Sequence, residues 1–129
     1  MTGISGALEA FLSEPLVAVV GTKRRDETVA LTPVWFEYRD GRLWLNSFES
    51  AAWPRRVQRV GAAAVLVIDP ADTLRTAHLD CTLEAVQRDG AREHIDALAQ
   101  RYLGERYQGP HQDRLILRLL PTRIRSAIG

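Results

Sequence analysis

The alternation of apolar and polar residues divides the chain into short segments, most of which have the two-residue period of strands. The first segment differs, because Ile4, Leu8, Phe11 and Leu12 recur at helical spacing. Residues 13–15, Ser-Glu-Pro, interrupt that spacing, so a short helix is predicted to end there.

Six later segments are predicted to be strands, because each is apolar throughout or alternates between apolar and polar residues. They are LVAVVG at 16–21, TVALTPVWFEY at 28–38, RLWLNS at 42–47, AAAVLVI at 62–68, LRTAHLDCTLEAVQ at 74–87 and RLILRLLPTRIRSAIG at 114–129, the last with a break at Pro121 as an alternative. Asp40-Gly41 predicts a hairpin turn. Pro33 places its strand at a sheet edge, at a bulge or beside a cleft, because proline cannot donate a ladder hydrogen bond.

Two further helices are predicted from their flanking residues and periodicity. Proline at the first position and Gly61 just past the end bracket a helix from Pro54 to Val60. Residues 89–107 contain an amphipathic helix with an apolar stripe at Ile95, Leu98 and Tyr102, and Gly104 is predicted to end it.

The predicted order of six strands and three helices determines the fold class. Most of the crossover segments that parallel strand pairs require are missing, so the strands should pair antiparallel. We therefore expect a mainly β fold, a six-stranded antiparallel barrel with small helices. The chain has 129 residues and no repeat or linker, and is expected to form one domain over 1–129.

Composition argues against several functional classes. The formal net charge is +1, from 17 basic and 16 acidic residues, so no nucleic-acid partner is expected. The longest apolar run, 62–68, is too short to span a membrane, and the N-terminal residues lack the basic start of a signal peptide. The single cysteine, Cys81, excludes an internal disulfide and fits a reducing compartment, so a cytoplasmic location is expected.

Two consecutive arginines are the most informative polar residues. Arg55 and Arg56 follow Pro54 in the first predicted turn of their helix, where positive charge is unfavourable by about 0.3–1 kcal/mol each. A bound phosphate would reverse that sign, because it accepts hydrogen bonds from free N–H groups and from guanidinium groups together. The alternative is that both side chains extend into water beside Glu49. Spacing alone leaves both interpretations open.

The sequence contains no recognisable set of residues for acid–base, nucleophilic or metal chemistry. Its three histidines have no partners at metal-ligand spacing, and Cys81 lies on the apolar face of its strand. If the chain is an enzyme, its chemistry should therefore belong to a bound cofactor, and its catalytic residues stay unassigned. A planar ring would suit the place where Pro33 interrupts a strand, next to Val34 and Trp35.

Four stretches in a fixed order carry a resemblance to a known family. They are the strand pair TPVWFEYRDGRLWLNS, the Trp-Pro-Arg-Arg helix before an apolar strand ending in Asp69-Pro70, the helix REHIDALAQRYLG and the closing strand RLILRLLPTRIRS. In these stretches the chain resembles the pyridoxamine 5′-phosphate oxidase-like split β-barrel family, especially its short flavin- and deazaflavin-dependent oxidoreductases. The resemblance covers nearly the whole chain. It implies a homodimer that binds two molecules of FMN or of the deazaflavin F-420 at its interface.

The same resemblance implies a set of cofactor-binding residues. Those expected along the ring are Thr32, Pro33, Val34 and Trp35. Those expected around the phosphate are Asn46, Ser47, Ser50, Arg55 and Arg56. Arg75 is expected to reach the site from the second subunit. Many relatives carry a phosphate-binding lysine at the position of Trp53, so either an arginine replaces that lysine here or cofactor affinity is reduced. Trp53 itself is expected either to anchor the core or to stack near the cofactor.

The function expected from these observations is hydride transfer between F-420 or FMN and a small conjugated substrate. The short chain and its sixteen arginines against one lysine favour F-420, because they suggest a GC-rich, actinobacterial genome. Three alternatives stay open: a cofactor-binding protein without turnover, a heme-binding protein of the same fold, and a structural dimer with an empty cleft.

Overall fold

The computed structural model describes residues 4–128, which form one curled antiparallel sheet and three helices. The helices are α1 (Gly6–Leu12), α2 (Ala52–Val60) and α3 (Ala91–Leu103). The strands are β1 (Val17–Lys23), β2 (Val29–Val34), β3 (Phe36–Arg39), β4 (Arg42–Phe48), β5 (Ala62–Asp69), β6 (Asp72–Gln87) and β7 (Arg114–Ser126). Over the described residues, no helix has the length and apolar character needed to cross a bilayer.

The order of the strands makes the sheet curl into a split barrel. The order is β2-β1-β5-β6-β7-β4-β3, so β2 and β3 form the two opposite edges. Only Trp35 separates these two strands in the chain. Since consecutive Cα atoms lie about 3.8 Å apart, the two edges must meet at Trp35 and diverge away from it. The predicted antiparallel barrel with small helices is confirmed.

The strand predicted at 28–38 divides into two strands at Trp35, so the barrel has seven strands rather than six. Pro33 lies on edge strand β2, opposite Val19 of β1, as its missing N–H requires. The predicted break at Pro121 does not occur, because β7 continues to Ser126 with a register shift opposite Asp80 and Cys81.

Helix α2 begins two residues earlier than predicted. Its first residue is Ala52, so Pro54 occupies the third position, Arg55 the fourth and Arg56 the fifth. The unfavourable interaction with the helix dipole falls off within the first turn, and it is correspondingly weaker for Arg56 than the sequence suggested. Gly61 ends the helix in the left-handed conformation, with a φ of 78°.

The core fills the barrel and is extended by two helices. Alternate residues of β4 face inward, and Leu43 and Leu45 are fully buried there. Helix α1 contributes Phe11 and helix α2 contributes Val57 to the same cluster. Helix α3 instead packs on the outer face of β4 and β7, over a smaller cluster of Trp44, Ala91 and Ile116.

Candidate functional site

A cleft of about 430 Å³ lies where the two sheet edges meet at Trp35. Its walls come from several strands, from the start of α2, from helix α3 and from the segment after that helix. Its lining residues are Val17, Ala18, Pro33, Val34, Trp35, Asn46, Trp53, Ile95, Leu98, Tyr102 and Tyr107. The cleft is therefore mostly apolar and aromatic, within the size range of small-molecule sites.

Three aromatic side chains form one wall of the cleft. The rings of Trp35 and Tyr102 are stacked, with centroids 5.4 Å apart and planes 10° from parallel. Tyr107 meets Trp35 edge-on, at 6.2 Å and 88°. Such a wall offers flat apolar surface and aligned ring edges to a planar ligand.

The Tyr102 hydroxyl connects β1 and β3 at the point where the barrel is split. It donates a hydrogen bond to the Leu16 carbonyl oxygen at 2.8 Å and accepts one from the Phe36 N–H at 3.3 Å. These two backbone groups flank the start of β1 and of β3, so α3 ties the two parts of the barrel at the cleft. Burial raises the pKa of Tyr102, and the hydroxyl therefore stays protonated and able to donate at neutral pH.

A chain of hydrogen bonds fixes the polar wall of the cleft. Asn46 donates through Nδ2 to the Ala91 carbonyl oxygen at 2.9 Å, and Nδ2 lies 3.1 Å from His94 Nδ1. The Asn46 Oδ1 accepts from Arg114 at 3.3 Å. With Nδ1 accepting from the amide, His94 donates through Nε2 to Glu37, 3.1 Å away. That hydrogen bond lowers the pKa of Glu37, and the Arg39 charge adds to the effect.

The structure brings five of the eleven predicted cofactor-binding residues together in the cleft. These are Pro33, Val34, Trp35, Asn46 and Trp53. Six of the predicted residues do not line it: Thr32, Ser47, Ser50, Arg55, Arg56 and Arg75.

Strand geometry explains why neighbours in the sequence separate here. Successive side chains of a strand point to opposite faces, so Asn46 faces α3 whereas Ser47 is buried on the inner face with Leu45. Thr32 likewise lies on the inner face of β2, opposite Val20. Ser50 is exposed in the turn before α2.

The two arginines of α2 have different surroundings. Arg56 is half-buried and donates through Nε to Thr22 Oγ1 at 2.7 Å. Arg55 is exposed, and within residues 4–128 it has no hydrogen bond or ion pair. It lies two residues after Trp53, whose side chain lines the cleft.

Arg75 is engaged by its own chain. Its guanidinium pairs with Asp69 at 2.5 Å and with Glu14 at 3.3 Å, and it lies 5.0 Å from the ring centroid of Phe11. Its expected contribution to a second subunit's site stays a prediction.

Sequence reasoning missed the part of the cleft that α3 and the following segment supply. The stripe of Ile95, Leu98 and Tyr102 was visible as a buried helix face, but the pattern did not indicate which surface it covers. Tyr107 follows the helix without any periodic signal. The link between Glu37 and His94 joins residues 57 positions apart, which no local pattern reveals.

The histidines and the single cysteine were the remaining candidates for chemistry. Among the residues described, no group of three or more potential metal ligands occurs. Cys81 is buried, and burial raises the pKa of its thiol to about 12, so the thiol is protonated and unreactive at neutral pH.

Comparison with known proteins gives structural matches only. No family model matches the chain, and no curated protein matches it. A solved F420 reductase is 26% identical, with 95% of this chain and 98% of the reductase covered and a TM-score of 0.84. The conserved hypothetical protein Rv2991 from Mycobacterium tuberculosis is 20% identical, with 96% and 84% covered and a TM-score of 0.78. A protein from Listeria innocua, provisionally assigned as a pyridoxamine 5′-phosphate oxidase, is 14% identical, with 93% and 94% covered and a TM-score of 0.73.

Proposed function

We propose that this chain, which belongs to the pyridoxamine 5′-phosphate oxidase-like family of split β-barrels, is a flavin- or deazaflavin-dependent oxidoreductase. The observation that carries the proposal is the aromatic cleft at Trp35. When bound there, F-420 or FMN supplies a ring that carries hydride to or from a small conjugated substrate. The described lining has no carboxylate, imidazole or amine. This agrees with a protein in which the bound cofactor supplies the hydride transfer.

The residues present fit a planar ring. Trp35 and Trp53 provide apolar faces, and Ile95 and Leu98 provide a dry floor that would exclude water from the reacting atoms. Asn46 has three fixed partners, so its side chain cannot rotate when a ligand enters. Both Nδ2 hydrogens are already donated, so Asn46 would orient a ring through Oδ1, which can accept one further hydrogen bond.

The start of α2 fits a phosphate. Arg55 is free of partners within the described chain and stands on the helix whose Trp53 lines the cleft. A phosphate near this turn would meet a guanidinium group and the helix N-terminus together. Arg56 is the weaker candidate, because its Nε is already used by Thr22. We propose Arg55 as the replacement for the lysine that many relatives carry at the position of Trp53.

Between the two cofactors we favour F-420. The similarity to an F420 reductase extends over nearly the full length of both chains, with the highest identity of the three matches described above. The arginine-rich composition is consistent with the same choice.

We further propose that the protein is a homodimer that completes the cleft. The outer face of β2, β1 and β5 exposes apolar side chains around a groove of about 680 Å³, among them Val29, Leu31 and Leu66. Val17 and Pro33 lie on this face and also line the cleft, so the cleft opens onto it. An apolar sheet face of this kind is unusual on a monomer. A second copy is the occupant we favour, because this apolar face adjoins the cleft through Val17 and Pro33, and two copies related by a two-fold axis would bury the same face on each.

Spectroscopy of the purified protein tests the cofactor. We expect a deazaflavin absorbance band, or micromolar binding of added F-420 seen by fluorescence, with FMN as the alternative. Trp35→Leu should weaken binding at least tenfold, whereas Leu103→Ala, an exposed change on the far side of α3, should not. If neither F-420 nor FMN binds, or if Trp35→Leu binds like the wild type, the cleft is not a cofactor site. A Soret band after heme addition would select the heme-binding alternative.

A second assay separates an enzyme from a binding protein. Reduced cofactor is mixed with small conjugated acceptors, and its reoxidation is followed by absorbance. The non-catalytic alternative is favoured by one observation, that Trp53 lines the cleft where many relatives have their phosphate-binding lysine. Tight binding without protein-dependent reoxidation would establish that alternative.

A further inference from the structure

Arg114, at the start of β7, is a buried charge without a counter-charge. Its side chain is 7% exposed, the least of any arginine in the described chain. Its Nε donates to the Pro110 carbonyl oxygen at 3.1 Å and its Nη1 to Asn46 Oδ1 at 3.3 Å. Its Cζ lies 3.9 Å from the ring centroid of Phe48 and 4.8 Å from that of Tyr107. Within residues 4–128, Nη2 has no hydrogen-bond partner and no carboxylate forms an ion pair with the group.

This arrangement is electrostatically incomplete. Arginine remains protonated in proteins, so burial cannot be relieved by loss of a proton. Neutral carbonyl oxygens and aromatic faces stabilise the cation only in part, and an unmatched buried charge is costly. An anion in a cavity beside the guanidinium group would supply the missing counter-charge.

A second cavity, separate from the cleft, lies against Arg114. It measures about 350 Å³ and is also lined by Arg88, Arg92 and His111, with Glu49 and Asp113 as its carboxylates. Glu49 is already paired with Arg88 at 2.8 Å, and His111 with Asp96 at 2.9 Å. Three guanidinium groups therefore face two carboxylates, one of which is already engaged.

The N-terminus of α3 adds further positive electrostatic potential at this cavity. The helix has 13 residues, and Gly90 at its N-cap provides no side chain to bond its N–H groups. The Ala91 N–H donates to the Arg88 carbonyl oxygen at 3.1 Å, which leaves those of Arg92 and Glu93 without a partner in residues 4–128. Arg92, the second residue of the helix, lines the cavity. The helix dipole favours an anion at this end.

We propose that this cavity binds a phosphate group, held by Arg114, Arg92 and the N–H groups of Arg92 and Glu93 at the start of α3. Phosphate suits the site because its several oxygen atoms can accept from more than one guanidinium group and from backbone N–H groups at once. Either free phosphate or the phosphate of a larger metabolite has this chemistry. The site is distinct from the proposed cofactor phosphate position at Arg55 on α2.

Titration of the full-length protein with inorganic phosphate, followed by ¹H–¹⁵N NMR in a phosphate-free buffer, tests the site. We expect saturable shifts of the Arg92 and Glu93 amides. Arg114→Gln should weaken the binding reported by those amides at least tenfold, and Arg92→Gln at least threefold. Arg25→Gln, an exposed change in the turn between β1 and β2, is the matched control and should leave it unchanged. Phosphomonoester metabolites, titrated in parallel, distinguish a free ion from a larger ligand.

Two results would overturn the proposal: no saturable shift at the start of α3, or unchanged affinity in Arg92→Gln. If Arg114→Gln does not fold, the exposed Arg92→Gln decides alone, because its spectrum reports folding and binding together. Arg92→Gln separates this test from the proposed oxidoreductase activity, because Arg92 does not line the cleft, whereas Arg114 also bonds Asn46 of the cleft. If the proposed oxidoreductase function is wrong but the phosphate site is correct, F-420 and FMN will not bind while phosphate still shifts the amides at the start of α3.

Discussion

At the scale of single residues, two adjacent arginines show how the same side chain takes different roles. Arg56 satisfies Thr22, a buried hydroxyl of β1, whereas Arg55 meets no partner in the described chain. An arginine bonded within the fold contributes to packing and register. One without partners is available to a ligand.

Arg55→Gln is expected to weaken cofactor binding about tenfold, because it removes the positive charge and one charge-assisted hydrogen bond to the phosphate while keeping a polar side chain. Fluorescence titration with F-420 measures the change, and binding should become less sensitive to salt. Arg25→Gln, an exposed arginine in the turn between β1 and β2, serves as the control and should bind normally. Equal affinity in both variants would remove Arg55 from the site.

Glu37 provides a test of the buried hydrogen-bond chain through pH. Its pKa is lowered from the ordinary value of 4.5, mainly by the hydrogen bond from His94. A carboxyl whose pKa is depressed by folding stabilises the protein above its unfolded pKa, and that contribution is lost as pH falls from about 4.5 through the folded value. Glu37→Gln should therefore be less stable than the wild type at pH 7, and the difference should shrink below pH 4.5.

Urea unfolding at several pH values measures this difference. His94→Gln should likewise reduce the loss of unfolding free energy as the pH falls below 4.5. The double variant should lose less unfolding free energy than the sum of the two single variants, because both changes remove the same interaction. Strict additivity would show that the two side chains act separately.

At the scale of elements, the break at Trp35 explains what the sequence could and could not predict. The missing N–H of Pro33 predicted an edge, a bulge or a cleft, and Pro33 lies on an edge strand and lines the cleft. The division into β2 and β3 was hidden because the inward alternation stays in phase across it: Val34 and Phe36 both face the core. Periodicity reports which face is buried. It does not report that the chain passes from one edge of the sheet to the other.

The candidate site shows the same limit. Trp35 and Asn46, which both line the cleft, could be predicted. The proline in the strand and the resemblance together marked Trp35, and the resemblance alone marked Asn46. The contribution of α3 could not, since Tyr102 reaches Leu16, 86 positions away, only after the barrel has closed.

Tyr102→Phe is the change that tests this element-level tie. It keeps the ring that stacks on Trp35 but leaves the Leu16 carbonyl and the Phe36 N–H without their partner. Loss of such a part-buried hydrogen bond should cost about 1–3 kcal/mol of unfolding free energy. Chemical denaturation measures the cost, and faster amide exchange at Phe36 would locate it. Tyr38→Phe is the control, because the Tyr38 hydroxyl has only a 3.5 Å contact with Glu9.

At the scale of the whole molecule, the sheet leaves two surfaces of opposite character. The outer face of β4 and β7 is covered by α3, which buries Trp44 and Ile116. The outer face of β2, β1 and β5 has no such cover within the described chain, and Leu31 is 72% exposed there. A barrel that covers one apolar face with its own helix and leaves the other open is best explained by a partner on the open side.

Leu31→Asp is therefore expected to convert a dimer into monomers. Leu31 lies opposite Gly21 of β1, near the middle of the open face, and a carboxylate there would be desolvated against its symmetry mate. Sedimentation equilibrium measures the mass, and Leu74→Asp is the matched control, because Leu74 is 81% exposed on the β5–β6 hairpin but lies outside the groove. Since Val17 and Pro33 belong to both the face and the cleft, the monomer should also bind F-420 more weakly. A wild-type protein that sediments as a monomer would contradict the dimer, whereas a Leu31→Asp monomer with full F-420 affinity would show that one chain completes the cleft by itself.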